Sequence, residues 1–271
     1  MQAIHSISRK KLNEILLDKA ERYKNIEFHF QHKLVTADLE NCSLTFERQD
    51  VVDDREVTVD ADLIIGCDGS YSAVRREMMR RTRFNFSQTY AQQSYVQFGI
   101  QPINGNFSLA PHFLHIWPRG KFNLVAFPNT NKSMTLAAFL PTATFDMLKN
   151  KGSIIDFFQD NFRDILDLIG RDNLVQTFLT ADPQPLISIK CSPYNYRGKT
   201  LIMGDAAHAM VPFYGQGLNC GLEDCMVLED ALDKHGDDME QALDYYSKTR
   251  NPDAEAMCDL AFSNFAEVEL N

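Results

Sequence analysis

Residues 201–232 read LIMGDAAHAMVPFYGQGLNCGLEDCMVLEDAL, and this stretch decides how the chain is organised. Leu201, Ile202 and Met203 make a short apolar strand that meets Gly204 and Asp205. Pro212, Gly215, Gly217 and Gly221 punctuate the turn that follows, and from Gln216 onward the residues suit a helix. A strand with an acidic residue at its end, a glycine-rich loop and a helix N-terminus form a surface for a polar, anionic or dipolar ligand. Glycines let the backbone come close, and the first N–H groups of the helix offer donors and partial positive charge. Alone, this fits several kinds of nucleotide site.

Working outward, a second corner lies upstream. Ala61–Ser70 reads ADLIIGCDGS, an apolar run that delivers Asp68-Gly69 to the helical stretch SAVRREMMRR. In α/β sheets such a corner faces ligand. Asp-Gly is also a common turn dipeptide, so site and plain turn both stay open here. Between the corners, from about Thr89 to Pro141, lie SYVQFGIQP, HFLHIWPRGKFNLVAFPN and SMTLAAFLP, with turn signals at Asn104-Gly105, Arg119-Gly120 and Asn129-Thr130. These predict an antiparallel sheet inserted between the two glycine-rich elements. Most of its aromatics belong in a core. A minority, with His115 and Phe122 as candidates, could line a pocket on its free face.

The remaining segments frame these three. Ser8–Tyr23 has helical spacing, with Ser8 as N-cap. Ile26, Phe28 and Phe30, then Leu34, Val35, Leu44 and Phe46, alternate as strands do, and residues 56–59 close a hairpin or meander. Two helices are expected at Phe145–Lys149 and Ile154–Ile169, a strand at Pro185–Cys191 and an aromatic loop at Tyr194–Tyr196. Helices follow over Met226–Leu232 and Asp238–Arg250, with a break at Asn251-Pro252 and a last helix toward Phe265. The expected division is 1–85, part of a domain carrying the Asp68-Gly69 corner; 86–190, a sheet domain with helices; and 191–271, the first domain continued.

Composition narrows the function classes. The 271 residues are 44% hydrophobic and 24% charged, as in a globular protein of one large or two modest domains. A net charge of -10 argues against nucleic acid, whose phosphates draw clustered Lys and Arg. Arg75, Arg76, Arg80, Arg81 and Arg83 are the local exception, expected as a solvated helix face. The six cysteines form no CxxC and no zinc spacing, so they suit reduced, mostly buried thiols and no metal is expected. No apolar run reaches the roughly 20 residues that cross a bilayer, and no signal peptide opens the chain, so a soluble, intracellular polypeptide is expected.

The pairing of IIGCDGSYSAVRR with GDAAHAMVPFYGQGLN resembles the second and third fingerprints of the FAD-dependent aromatic hydroxylases. LHIWPR (Leu114–Arg119), VPFYGQGLN (Val211–Asn219), GLEDC (Gly221–Cys225) and SISRKKLN (Ser6–Asn13) look most like the members that act on L-kynurenine. The resemblance implies an α/β (α+β) fold, a partial Rossmann-like FAD-binding domain with an inserted antiparallel substrate sheet. It implies FAD as cofactor, NADPH as co-substrate, and hydroxylation of L-kynurenine to 3-hydroxykynurenine with O2. Arg9 then lies near FAD, Asp68 and Gly69 serve the cofactor and NADPH use, and Gly204 and Asp205 meet the ribityl chain. Gly215, Gln216, Gly217, Leu218 and Asn219 meet the flavin ring, and Pro212, Phe213 and Tyr214 lie beside flavin and substrate. The family's GxGxxG unit is not found, and its substrate-carboxylate residues are not assignable here, so the sequence resembles a fragment of such an enzyme. By the same resemblance the whole enzyme sits on the mitochondrial outer membrane through a tail.

Two further features invite roles. His208 could be a general base, but no carboxylate is seen to orient it, so it is expected to satisfy loop backbone groups. Glu223 and Asp224 could be paired carboxylates, but in the first turns of a helix they are expected to complement its dipole. Another hydroxylase of the same fold, or a non-catalytic remnant or interaction module, are the alternatives.

Overall fold

The computed structural model describes residues 6–270. In chain order they form α1 (Arg9–Ala20), β1 (His32–Asp38), β2 (Ser43–Arg48), β3 (Glu56–Asp60), β4 (Ile64–Gly66), α2 (Ala73–Arg81) and β5 (Asn85–Ile100). Next come β6 (His115–Arg119), β7 (Phe122–Pro128), β8 (Met134–Pro141), α3 (Thr142–Met147), α4 (Lys151–Asn161), α5 (Arg163–Ile169) and α6 (Arg171–Thr180). The last are β9 (Gln184–Ser192), β10 (Asn195–Tyr196), β11 (Thr200–Ile202), α7 (Asp205–His208), α8 (Gly217–His235) and α9 (Met239–Leu270). Mixed α/β architecture follows, in two compact units.

One unit holds the residues up to Phe28, Gln92–Leu186 and the segment from Glu267. Its sheet is antiparallel, β6 against β7, β7 against β8, and β8 against β5. Apolar residues two apart on β7 and β8 (Leu124, Ala126; Met134, Leu136, Ala138, Leu140) share a core with Phe158, Phe162, Ile165, Leu166 and Leu174 of the helices. This is the inserted sheet that the sequence predicts, with α3–α6 covering it. The helix expected over Ile154–Ile169 is two helices. Phe162 leaves helical backbone (φ −138°, ψ 39°) while its ring stays fully buried, so packing breaks the helix there. α6 is not expected from the sequence; Leu174, Val175 and Phe178 are its buried stripe.

Residues 1–85 do not group together. The division falls at His29, and α1 belongs with the sheet unit, where the Ser6 hydroxyl donates to the Pro128 carbonyl. The period-two run Ile26–Phe30 forms no strand either: β1 begins at His32, and Ile26 and Phe30 are 43% and 62% exposed.

The other unit, His29–Ala91 with Ile187–Ala266, carries an antiparallel meander β1-β2-β3 and a small sheet in the order β10-β11-β4. β11 runs parallel to β4, pairing Thr200 with Ile64, Leu201 with Ile65 and Ile202 with Gly66. Both strands therefore end at the same level, and the Met203 N–H donates to the Gly66 carbonyl at 3.1 Å. Parallel register sets the Asp68-Gly69 and Gly204-Asp205 corners side by side, at the C-terminal strand ends where ligands of α/β sheets bind. Gly66 is needed because a Cβ there would lie 2.8 Å from Cβ of Val74, so only glycine lets α2 pack this close. The expected aromatic loop at Tyr194–Tyr196 contains β10, and the expected break at Asn251-Pro252 is absent: α9 runs through Pro252. Buried Ala254, Cys258 and Ala261 continue its apolar stripe past the proline, and that packing outweighs the lost backbone hydrogen bond.

Candidate functional site

The site begins at Gly204. Its backbone (φ 57°, ψ −142°) is one that L side chains rarely adopt, and it turns the chain from β11 into α7. Asp205 follows, exposed, with no hydrogen-bond or ion-pair partner for its carboxylate among the described residues. After Val211 the chain makes a 3-10 turn at Pro212–Tyr214, then Gly215 in the left-handed region (φ 67°), and enters α8 at Gly217. Pro212 and Phe213 are half-buried, whereas Tyr214, Gly215, Leu218 and Asn219 are exposed. Gln216, the N-cap, makes no side-chain bond to a backbone N–H of the helix; its Oε1 accepts instead from the Asn219 side chain, Nδ2, at 2.9 Å. No acidic residue stands in the first turn of α8. The N–H groups of Gly217, Leu218 and Asn219 therefore keep their donors and the positive end of a 19-residue helix uncompensated.

The neighbouring corner is spent mostly on its own helix. Asp68 Oδ2 accepts from Ala73 N at 2.6 Å and Val74 N at 3.2 Å, and Ser72 Oγ accepts from Arg75 N at 2.9 Å. Gly69 sits at φ 81° in this turn. Arg75 corrects the expected solvated basic face: it is 3% exposed. Its guanidinium donates to the carbonyls of Ala206 and Ser70 and lies 5.1 Å from the Phe86 ring centroid. Arg75 thus ties the Asp68 corner to α7, a role that spacing among other arginines conceals.

His208 and Asp224 also depart from expectation. His208 Nε2 lies 2.7 Å from Asp224 Oδ2, and the two side chains are 2% and 0% exposed. The same Oδ2 accepts from Gly204 N at 2.7 Å, and Oδ1 accepts from Arg250 Nε at 2.7 Å. So His208 does have an orienting carboxylate, and Asp224 is a buried hub rather than a dipole-facing surface charge. α8 turns Asp224 inward because it shares the stripe of Cys220, Leu228 and Ala231. Burial alone would raise the Asp224 carboxyl, yet the hydrogen bonds and charge of His208, the Gly204 N–H and Arg250 hold it below the ordinary range. Burial likewise disfavours the Arg250 cation, and Asp224 more than offsets this, keeping its pKa above that of a usual arginine. Glu223, at 59% side-chain exposure, touches Arg250 Nη1 at 2.8 Å from the solvent side.

The other expected site residues lie in the sheet unit. Arg9 is exposed on α1. His115 Nε2 is 2.9 Å from the Ala110 carbonyl, and its ring stacks on Trp117 at 6.0 Å. Phe122 meets Phe157 edge-on at 5.0 Å, against the helices that cover the sheet core. Gly204, Asp205, Pro212–Asn219, Asp68 and Gly69 all belong to the β4–β11 unit.

An acceptor without a partner beside uncompensated helix donors fits FAD, whose ribityl hydroxyls donate and whose ring takes up negative charge on reduction. The FAD-binding domain family matches residues 1–261, and the chain belongs to that family. Among its relatives, it is 47% identical over 268 residues to kynurenine 3-monooxygenase of Anopheles gambiae, covering 98% of this chain and 55% of that protein. The Sus scrofa kynurenine 3-monooxygenase is 43% identical over 267 residues, 98% of this chain and 56% of its own. The chain thus spans little more than half the length of these curated relatives. Two solved structures share the fold. A tetrameric 2-methyl-3-hydroxypyridine-5-carboxylic acid oxygenase superposes with TM-score 0.76 at 21% identity, over 96% of this chain and 66% of its own. A Klebsiella pneumoniae HpxO variant complexed with FAD gives TM-score 0.74 at 18% identity, over 97% and 65%.

Proposed function

We propose that this chain is the flavin-facing part of an FAD- and NADPH-dependent monooxygenase that hydroxylates L-kynurenine to 3-hydroxykynurenine with O2. One observation carries the flavin reading: just past the C-terminal end of β11, Asp205 is exposed and has no partner among the described residues, and the loop that follows enters α8 with no acidic residue in its first turn. The relatives of 40% identity and above support the kynurenine assignment.

In this reading Asp205 accepts hydrogen bonds from the ribityl hydroxyls and stays clear of the reacting centre. Gly215, Gln216, Gly217, Leu218 and Asn219 pass under the flavin ring, where the α8 amides stabilise negative charge. Pro212, Phe213 and Tyr214 lie beside flavin and substrate, and Pro212 and Phe213 form an apolar wall that keeps water out. Asp68 and Gly69 hold the second corner, while Arg9 is assigned to the cofactor by resemblance and His115 and Phe122 are pocket candidates read from the antiparallel sheet. FAD itself supplies the oxygen chemistry; the protein's part is placement, water exclusion and electrostatics. No GxGxxG occurs in the 271 residues, so a pyrophosphate cradle of that type is not among them. The family's mitochondrial outer-membrane placement belongs to the same proposal; among the described residues no helix is long and apolar enough to cross a membrane.

The test is turnover by the full-length protein with NADPH and O2, offering L-kynurenine against other hydroxylatable aromatic acids. Formation of 3-hydroxykynurenine in preference to every other product supports the reading. NADPH-dependent hydroxylation of a different ring would move the protein to another hydroxylase of the same fold. No flavin reduction with any of them would favour a non-catalytic module.

A further inference from the structure

The flavin reading makes no use of one buried cluster, formed by Arg250, Asp224 and His208. Asp224 engages both carboxylate oxygens, Oδ2 with Gly204 N and His208 Nε2, and Oδ1 with Arg250 Nε. Gly204 is gripped from the other side too, because its carbonyl accepts from Ala207 N at 2.8 Å and His208 N at 2.9 Å. The left-handed turn at Gly204 is therefore held at both its polar groups, and Asp205 is the next residue. Arg250 also donates from Nη2 to the Cys220 carbonyl at 2.9 Å, fixing the α8 turn that presents Asp224. Replacing buried ion pairs with apolar residues is often neutral for stability, so geometry is the more specific thing such a cluster can supply. Without the Arg250 cation, Asp224 loses the partner on Oδ1 and keeps only His208 and the Gly204 N–H, so the carboxylate is less firmly held in charge and position and its bond to the Gly204 N–H weakens.

We infer that Arg250, acting through Asp224, is a positioning residue for the flavin site: it fixes the Gly204 turn that aims the Asp205 carboxylate. This rests on the flavin reading of Asp205. His208 belongs to the same device, sharing Oδ2 with Gly204, and is a positioning partner rather than a general base.

The experiment compares the isotope-labelled 271-residue chain with Arg250→Gln, Arg250→Lys and, as a control, Lys248→Gln. Lys248 is exposed on the same helix and pairs with Asp244. Two quantities are measured by NMR: the Gly204 amide proton shift, which reports its bond to Asp224, and FAD affinity, followed at the amides of residues 205–219. Arg250→Gln should move the Gly204 amide upfield and weaken FAD binding on the order of tenfold. Arg250→Lys should recover part of both, and Lys248→Gln should match wild type. An Arg250→Gln chain with unchanged Leu201 and Ile202 amides, an unchanged Gly204 shift and unchanged affinity overturns the inference. Should Arg250→Gln fail to fold, Arg250→Lys decides alone, and wild-type values for both readouts overturn it. If FAD perturbs none of residues 204–219 in the wild-type chain, the flavin reading falls and this inference with it.

Discussion

Arg250 Nε lies 2.7 Å from Oδ1 of Asp224, joining α9 to the first turns of α8 across 26 residues of sequence inside a fully buried environment. That contact lies within the unit that carries the two glycine corners. Removing one member of such a pair strands a charge, which is more damaging than never having had the pair. Asp224→Ala should therefore destabilise the chain by about 3–5 kcal/mol in urea unfolding. A loss below about 1 kcal/mol would mean that Arg250 finds water and the cluster is not closed.

The same group sets a pH dependence. The Asp224 carboxyl is depressed in the folded chain, with burial opposing and the bonds from His208, Gly204 and Arg250 prevailing. Its stabilisation is thus complete above the unfolded value, roughly pH 4, and is lost as the pH falls through the lower folded value. Urea midpoints from pH 3 to 6 should show an acid-labile component in the wild type that is smaller in Asp224→Asn. Parallel acid profiles for the two would contradict the assignment.

All six cysteines are free thiols, and only Cys67 and Cys225 are exposed. Burial pushes Cys191 up to about 12 and Cys258 up to about 11, which keeps both protonated as well as covered. Under native conditions, a thiol reagent read by mass spectrometry should label Cys67 and Cys225 and spare the other four until the chain is unfolded. Fast native labelling of Cys191 or Cys258 would show that the α9 packing opens.

In the sheet unit, Phe158 is fully buried and meets Phe157, Phe162 and Phe178 at centroid distances of 5.6, 5.5 and 5.3 Å. Phe158→Ala should cost about 3–5 kcal/mol, the range for a phenylalanine cavity that cannot collapse. A cost under 1 kcal/mol would mean that the aromatic cluster is loosely packed.

Much of this is legible in the sequence for identifiable reasons. The Gly204-Asp205 and Asp68-Gly69 corners show as apolar runs that end on glycine and aspartate, and the antiparallel sheet shows as period-two runs between turn dipeptides. What escapes is long-range pairing. The Asp224 partners lie at positions 204, 208 and 250, and the local sequence shows Asp224 only as one of two adjacent acids in the first turns of a helix, where acids normally face water. Arg75 is hidden the same way, because nothing in its neighbours at 76, 80 and 81 tells which arginine turns inward. Pro252 shows the converse error: a local breaker is overruled by the buried Ala254, Cys258 and Ala261 stripe.

The most direct test of the flavin site is an FAD titration of the labelled 271-residue chain, followed residue by residue by NMR up to millimolar ligand. Binding should be saturable but too weak to keep the purified chain yellow, since no GxGxxG is present. Shifts should concentrate at Gly204, Asp205 and residues 212–219. Asp205→Ala should weaken binding by about 1.5–3 kcal/mol, the worth of a charge-assisted hydrogen bond, while core amides stay in place. Saturable shifts confined to other residues, or an Asp205→Ala chain that binds FAD as tightly as wild type, would contradict the account.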